Sequence, residues 1–419
     1  MKFFLLLIFH ITLSNQEKNK RYDIYMDMLN WGKQNELKIN NIALNFTAPF
    51  EEKYIGNKEI KSGDKLMIIP RKILITFDDV LKLSSKKEKK IWELLSKEPT
   101  YKMKVKYQSF IAYIIMKSYK KKKGKLYKHF KQFLEFSYTN DIDSLGNRFP
   151  IFYSMSEYEI FGNSICGSKV FKTKENLIQE HQIITRFLNI DFDLDQYMAF
   201  RTQNELFKTK FDNITYIIPF INLFSLHPKY YNAELDFNSE TNEIEIKSIR
   251  NIGIGEVITL KNEIEDNCDN LLYYGITYDY SQSKTYKPHL PIKLYTDPYD
   301  EYVINKNLKK YVDIKYDDYI ENILEDYKIK RPGPSDSSNL RFFYDGLQRY
   351  LYEFGVVKTR DYYDKIFNEK TRTNIRRIYD SERKLIEKRM DELNEIIKKK
   401  SEEEKEKRKK RKNQNTSDL

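Results

Sequence analysis

Cysteine and histidine, the usual carriers of metal and nucleophile chemistry, are scarce in this chain and spaced badly for either. Cys166 and Cys268 are the only cysteines in 419 residues, so a zinc cluster, a redox Cys-x-x-Cys pair and a disulfide framework are ruled out. One bridge between them remains open, but sequence alone does not bring them together. His10, His129, His181, His227 and His289 lie far apart, without His-Glu-x-x-His or paired-His spacing. No metal site is expected. Gly124-Lys125 lacks the upstream glycine and the following hydroxyl of a phosphate loop. No Gly-x-Ser-x-Gly elbow presents a serine nucleophile. Tyrosines number 33, and any single one is far more often structural than functional.

The elements that must hold such groups come from a chain with a real core. The hydrophobic set makes up 40% of residues and includes 26 phenylalanines, which argues against disorder over most of the length. The length suggests two or three domains. Formal net charge is +12, yet it is unevenly placed. Residues 117–131 hold eight lysines and no acid, and residues 398–412 hold ten bases and four acids. These two stretches sum to +14 and leave −2 for the rest, so the body is not uniformly basic. That argues against a nucleic-acid partner. Tyr119, Tyr127 and Phe130 interleave the first run and could stack on bases, although a solvated helix face is the plainer reading.

Residues 1–16, MKFFLLLIFHITLSNQ, read as a secretory leader. One positive charge precedes about ten mostly apolar residues, with Thr12 and Ser14 placed for a cut before Asn15. A secretory or secreted location follows, and a cytoplasmic one if the segment is not a leader. No later segment approaches 18 uninterrupted apolar residues, so no transmembrane segment is expected. Asn45-Phe-Thr, Asn213-Ile-Thr and Asn415-Thr-Ser are glycosylation triplets on the secretory route.

Residues 22–36 read as an amphipathic helix, Leu66 to Ile69 as a strand stopped by Pro70, and Asp78 as the opening of a helix. The spacing of Ile60-Lys-Ser-Gly63-Asp64-Lys-Leu66 returns in Ile252-Gly-Ile-Gly255-Glu256-Val-Ile258. Each predicts strand, glycine turn, strand. Leu235 and Phe237, then Ile244 and Ile246, alternate around a polar turn, which predicts a hairpin. Between these β-rich regions, residues 84–210 are helical in character. Residues 110–119 read as a buried helix, and Ser156 with Glu159 as a capping box. Beyond about 290 the pattern is helical again, apart from a loop at 331–338. Ile375, Ile378, Leu385, Ile386, Met390, Leu393, Ile396 and Ile397 mark one long stripe, followed by a fraying charged extension.

Three signatures carry a resemblance. Ile218-Pro-Phe-Ile-Asn222-Leu-Phe-Ser225-Leu226-His227 resembles the Pro-x-x-Asp-x-x-Asn-His-Ser segment of SET-domain methyltransferases. Gly255-Glu256 followed by Asn267–Ile276, with Leu271-Leu272 and Tyr274-Gly275, resembles their Gly-Glu and Tyr-Gly-Phe ending. Phe149-Pro150-Ile-Phe-Tyr153 and Phe161-Gly-Asn-Ser164 resemble the insertion of the Rubisco large-subunit methyltransferase subfamily. The chain thus resembles a divergent member of that subfamily.

The resemblance implies an α+β protein. A split β-rich SET fold (22–83 and 201–285) would flank a helical insertion (84–200). A helical substrate-binding-like domain (286–397) and a charged disordered tail (398–419) would follow, after a leader at 1–14. It implies methyl transfer from S-adenosylmethionine to a lysine of a protein partner. Tyr274 matches the catalytic tyrosine, and Asn222, Ser225, Leu226 and His227 the degenerate cofactor-binding segment. Four positions depart from the family pattern. Glu51-Glu52-Lys53 replaces the Gly-x-Gly cofactor turn, and Ser225-Leu226 the Asn-His pair. Glu205 replaces an arginine, and Thr259-Leu260-Lys261 a Ser-Tyr-Gly. Two readings stay open: an active methyltransferase, or a catalytically silent SET-fold module that binds a protein.

Overall fold

The computed structural model describes residues 20–46, 52–99, 102–138, 141–146, 148–161, 164–188, 192–264 and 266–278, together with 289–293, 311–315, 344, 345, 347, 348 and 369–417. The expected leader and the loop at 331–338 lie outside the described residues. The chain divides into two compact units, Met1–Gly146 with Thr173–Glu263, and Asn147–Lys172 with Ile264–Leu419.

The first unit opens with helix α1 (20–34), as the amphipathic pattern predicts. Strands β1 (Lys38–Ile39), β2 (Ile42–Asn45), β3 (Lys53–Gly56), β4 (Lys65–Ile69) and β5 (Ile75–Thr76) follow. Thr76 caps helix α2 (Phe77–Leu83) through a reciprocal box with Asp79, one residue ahead of the expected start. Ser85 and Glu88 cap α3 (Lys86–Lys97) in the same way. Helices α4 (Met103–Lys121), α5 (Lys125–Ser137) and α6 (Ile142–Gly146) complete this stretch. In α4, residues Phe110 to Met116 are all buried, so the helix is surrounded, as its all-round apolarity requires. Each such large side chain contributes about 1.5–3 kcal/mol by leaving water.

In the basic run, Tyr127 and Phe130 are also buried, and Tyr119 packs on Phe200 at 5.3 Å. The aromatic rings conceivable as stacking platforms are therefore core. After the second unit's first segment, α8 (Ile165–Leu188, which spans the division at residue 172) and α9 (Leu194–Leu206) bring the chain back.

Strands β6 (Lys208–Phe211), β7 (Ile214–Ile217), β8 (Ser225–His227), β9 (Ala233–Asn238), β10 (Glu243–Ser248) and β11 (Thr259–Lys261) finish the first unit. Six strands form one sheet in the order β1-β4-β10-β9-β11-β8, while β2 pairs with β3, and β7 lies between β5 and β6. The hairpin is as expected: Ile244 faces Phe237 and Ile246 faces Leu235 across β9 and β10. The two recurring glycine turns do more than repeat. Ile60 and Ile252 pair with each other, each amide donating to the other's carbonyl, and Gly63 and Gly255 both hold positive φ.

In the second unit, α7 (Met155–Phe161) is capped by Ser154 and Glu157, not by Ser156 and Glu159. Both pairs satisfy the same spacing, and the true box lies two residues earlier. Helix α10 (Asn267–Tyr274) is followed by β12 (His289–Lys293) and β13 (Tyr311–Lys315), an antiparallel pair. This corrects the all-helical reading beyond 290. Helix α11 (Glu369–Ser417) buries Ile375, Ile378, Leu385, Ile386 and Leu393 of the predicted stripe. It runs on unbroken through the charged stretch where a fraying, disordered tail was expected. Among the described residues, no helix is long and apolar enough to cross a membrane.

Candidate functional site

In the first unit, three of the segments singled out in the sequence converge at one edge of the six-stranded sheet. Phe220, at φ 72°, turns the chain into a short 3-10 helix, Ile221–Leu223, that carries Asn222 and delivers β8. Strand β8 lies parallel to β11, with Ser225 beside Thr259, Leu226 beside Leu260 and His227 beside Lys261. Two of the departures are therefore neighbours in register. The third arrives on β3. Its Lys53 ammonium donates to the carbonyls of Asn222 at 3.3 Å and Phe224 at 3.2 Å. Tyr54, next along, is buried with its ring 4.8 Å from Phe224. The Tyr54 carbonyl accepts from the Ile258 amide, and the Ile258 carbonyl from the Ser225 amide. Asn222 Oδ1 is buried without a hydrogen-bond partner, a polar atom that calls for an explanation.

The charged replacements at Glu52 and Glu205 each have a partner. Glu52 is buried and ion-paired to Arg21, whose guanidinium lies 4.7 Å from the Phe136 ring centre. The expected acidity of this turn is thus neutralised at Glu52. Glu205, at the end of α9, pairs with Arg201 at 2.6 Å and with Lys208. Burial pushes the Glu205 carboxyl up, but Arg201 and Lys208 outweigh it and hold the group below the ordinary glutamate range. Arg201 also reaches Glu180 at 3.3 Å and Gln108 at 2.6 Å. His227 is half-buried, and its Nδ1 accepts from the amides of Lys229 and Tyr230. Burial, then the Lys229 charge, lowers its pKa, so it is held neutral.

Tyr274 belongs to the second unit, at the C-terminal end of α10. Asp266 caps that helix, accepting from the Asp269 amide at 2.9 Å. Asn267, fully buried, brackets the Tyr278 main chain with two hydrogen bonds. Gly275 ends the helix at φ 66°, a conformation that a side chain disfavours. An added Cβ there would come within 2.3 Å of Arg148 Cγ and 2.7 Å of the Arg148 carbonyl. The Arg148 guanidinium in turn donates twice to the Tyr274 carbonyl, both at 3.2 Å. The glycine of the Tyr-Gly pair is thus demanded by backbone geometry, whatever the Tyr274 hydroxyl does. Tyr274 itself is half-buried.

Cys166 and Cys268 are joined by a disulfide with Cα atoms 5.4 Å apart, tying the start of α8 to α10. The sequence leaves this pairing open, because no local pattern encodes it. The same holds for the Lys53 contact, which joins residues 169 positions apart.

No family model matches the chain, and no curated relative does. Solved structures do. The SET domain of LSMT bound to lysine and AdoHcy superposes with a TM-score of 0.63 at 13% identity. That match covers 91% of this chain and 92% of the other. Rubisco LSMT bound to AdoMet matches with a TM-score of 0.63 at 14% identity, over 90% and 92%. The fold is that of SET domains. At this identity the SET likeness speaks for the fold alone.

Proposed function

We propose that this chain is a divergent protein-lysine methyltransferase of the Rubisco large-subunit methyltransferase-like kind, taking its methyl group from S-adenosylmethionine. Similarity to SET domains solved with AdoMet, AdoHcy and lysine supports it. The observation that carries it is the meeting of Lys53, Asn222–His227 and Thr259–Lys261, three segments expected at the cofactor. The carbonyls of Asn222 and Phe224 form a seat suited to an ammonium group, such as the cofactor bears. Asn222, Ser225, Leu226 and His227 would hold it there. When bound, the cofactor supplies an electrophilic methyl group.

The chain's own tasks follow from that chemistry. The acceptor lysine must be neutral, against an ordinary pKa of about 10.4, so its channel must desolvate it. Alignment of amine and methyl supplies most of the rate. The Tyr274 hydroxyl is the proposed source of the fixed dipole that aids this alignment. The proposed division is a SET part at 22–83 and 201–285, an insertion at 84–200 and a helical part at 286–397.

Lys53 favours a second reading. Its ammonium sits on the seat, as it would in a silent SET-fold module that binds a protein. Calorimetric titration of S-adenosylmethionine into the full chain separates the two. Micromolar binding is expected of the enzyme, and no heat at high ligand concentration removes it. Given binding, Tyr274→Phe should lower lysine methylation while leaving the binding heat unchanged. Equal turnover would take Tyr274 out of the mechanism.

A further inference from the structure

Two features of the fold, in different units, carry chemistry that methyl transfer does not use. The first is the Cys166–Cys268 disulfide. Both cysteines are buried, at 1% and 7% exposure, and the surroundings reinforce the link. The Cys166 amide donates to Glu382 of α11 at 3.0 Å, and Lys169 pairs with Asp269 at 2.7 Å. Chains kept in a reducing cytosol rarely retain such bonds, whereas oxidising compartments form them.

The second feature is Asn213. It and Asp212 form the two-residue tip between β6 and β7, where Phe211 pairs with Ile214. Their φ values of 66° and 45° are those of the tight hairpin turn that asparagine tolerates. Asn213, Asp212 and Ile214 are all exposed, so a bulky group on the Asn213 amide would project into solvent without disturbing a strand. Thr215 completes the acceptor triplet. Of the three triplets in the sequence, Asn45 has its threonine outside the described residues, and Asn415 stands on α11.

We propose that this chain matures in an oxidising, glycosylating compartment, where Cys166–Cys268 closes as a native disulfide and Asn213 accepts an N-linked glycan. The apolar segment at the N-terminus is of the kind that directs a chain there. The inference stands apart from the methyl-transfer reading, and neither of its readouts needs activity.

The test expresses the full chain, with its own N-terminus, in a eukaryotic host that has a secretory route. Peptides are mapped after alkylation without reduction, and glycans are removed enzymatically in heavy-oxygen water. A linked Cys166–Cys268 peptide that separates on reduction is expected, with a heavy-oxygen aspartate at position 213. N213Q should lose that glycan and keep the linked peptide. Two alkylated free thiols, or a chain retained in the cytosol, would overturn the compartment. An unmodified Asn213 in chain that has entered the lumen would overturn the assignment of the acceptor.

Discussion

Glu205→Arg restores on paper the cation that the SET resemblance expects near the cofactor, and the structure says that it will fail. The wild-type carboxylate lies between Arg201, at 2.6 Å, and Lys208. An arginine there gathers three cations, with Glu180 left to answer Arg201 at 3.3 Å. Two like charges about 4 Å apart repel by about 4 kcal/mol at an effective dielectric constant near 20. Leaving a buried charge uncompensated costs about 3–5 kcal/mol. For a unit of this size, each kcal/mol lowers the thermal midpoint by about 2–4 °C, so a drop of about 6–20 °C is expected.

Glu205→Gln should be milder, because it adds no third cation and its amide oxygen can still accept from Arg201 or Lys208. It carries a pH signature too. The folded carboxyl is held below its ordinary range, so its stabilisation is present above that range and is lost as pH falls through the lowered value. Glutamine removes that part of the acid response. The assay is thermal unfolding followed by circular dichroism, with S-adenosylmethionine titrated into the same samples. An unchanged midpoint together with tighter cofactor binding in Glu205→Arg would refute the reasoning.

Three further outcomes are expected. Lys53→Met keeps the apolar stem and removes the ammonium from the Asn222 and Phe224 carbonyls. S-adenosylmethionine should then bind several-fold tighter by calorimetry, and equal affinity would show that Lys53 does not compete for the seat. Gly275→Ala places a Cβ against the Arg148 carbonyl at positive φ. The backbone strain alone costs about 1–2 kcal/mol, so denaturant unfolding should show a loss of at least that, and no loss would contradict the close approach. Glu245, bonded to Lys65 and Lys247 across β4 and β10, has its pKa drawn down to about 2. Its stabilisation is present above the usual carboxylate range and is lost as pH falls towards 2. Glu245→Gln should therefore flatten the midpoint between about pH 4.5 and 2, whereas an unaltered acid limb would count against the pairing.

Local patterns were legible where one residue type meets one backbone need. Gly63 and Gly255 mark turns with positive φ, Ile244 and Ile246 mark a buried strand face, and Phe110 to Met116 mark a surrounded helix. Partners were not legible. The two glycine turns were visible as a repeat, yet nothing in their spacing says that Ile60 and Ile252 bond to each other. Ser154-Glu157 and Ser156-Glu159 share one signature, and the spacing alone does not choose between them. His289–Lys293 and Tyr311–Lys315 escape notice because strands of five residues hold few alternations, although Pro291 already speaks against a helix over the first. Tyr274 stood out only through Gly275, whose backbone requirement is local.

The departures from the SET pattern look in sequence like four separate losses, but in the structure they have answering partners. Glu52 meets Arg21, Lys53 meets two carbonyls, and Glu205 meets Arg201 and Lys208. Ser225-Leu226 lies in register with Thr259-Leu260. A site left without use would be expected to collect unpaired buried charge, which is costly. Among the described residues the charged replacements are paired, and the unpartnered atom of the segment is the neutral Asn222 Oδ1. Such mutual fitting means that single reversions should each do harm, because each breaks a pair to restore one contact. Glu205→Arg should therefore harm the protein alone, and less when Arg201→Met is added, since that second change removes the facing charge. A double mutant as unstable as the sum of its parts would show that Glu205 and Arg201 are not coupled, and would remove the pairing argument for that replacement.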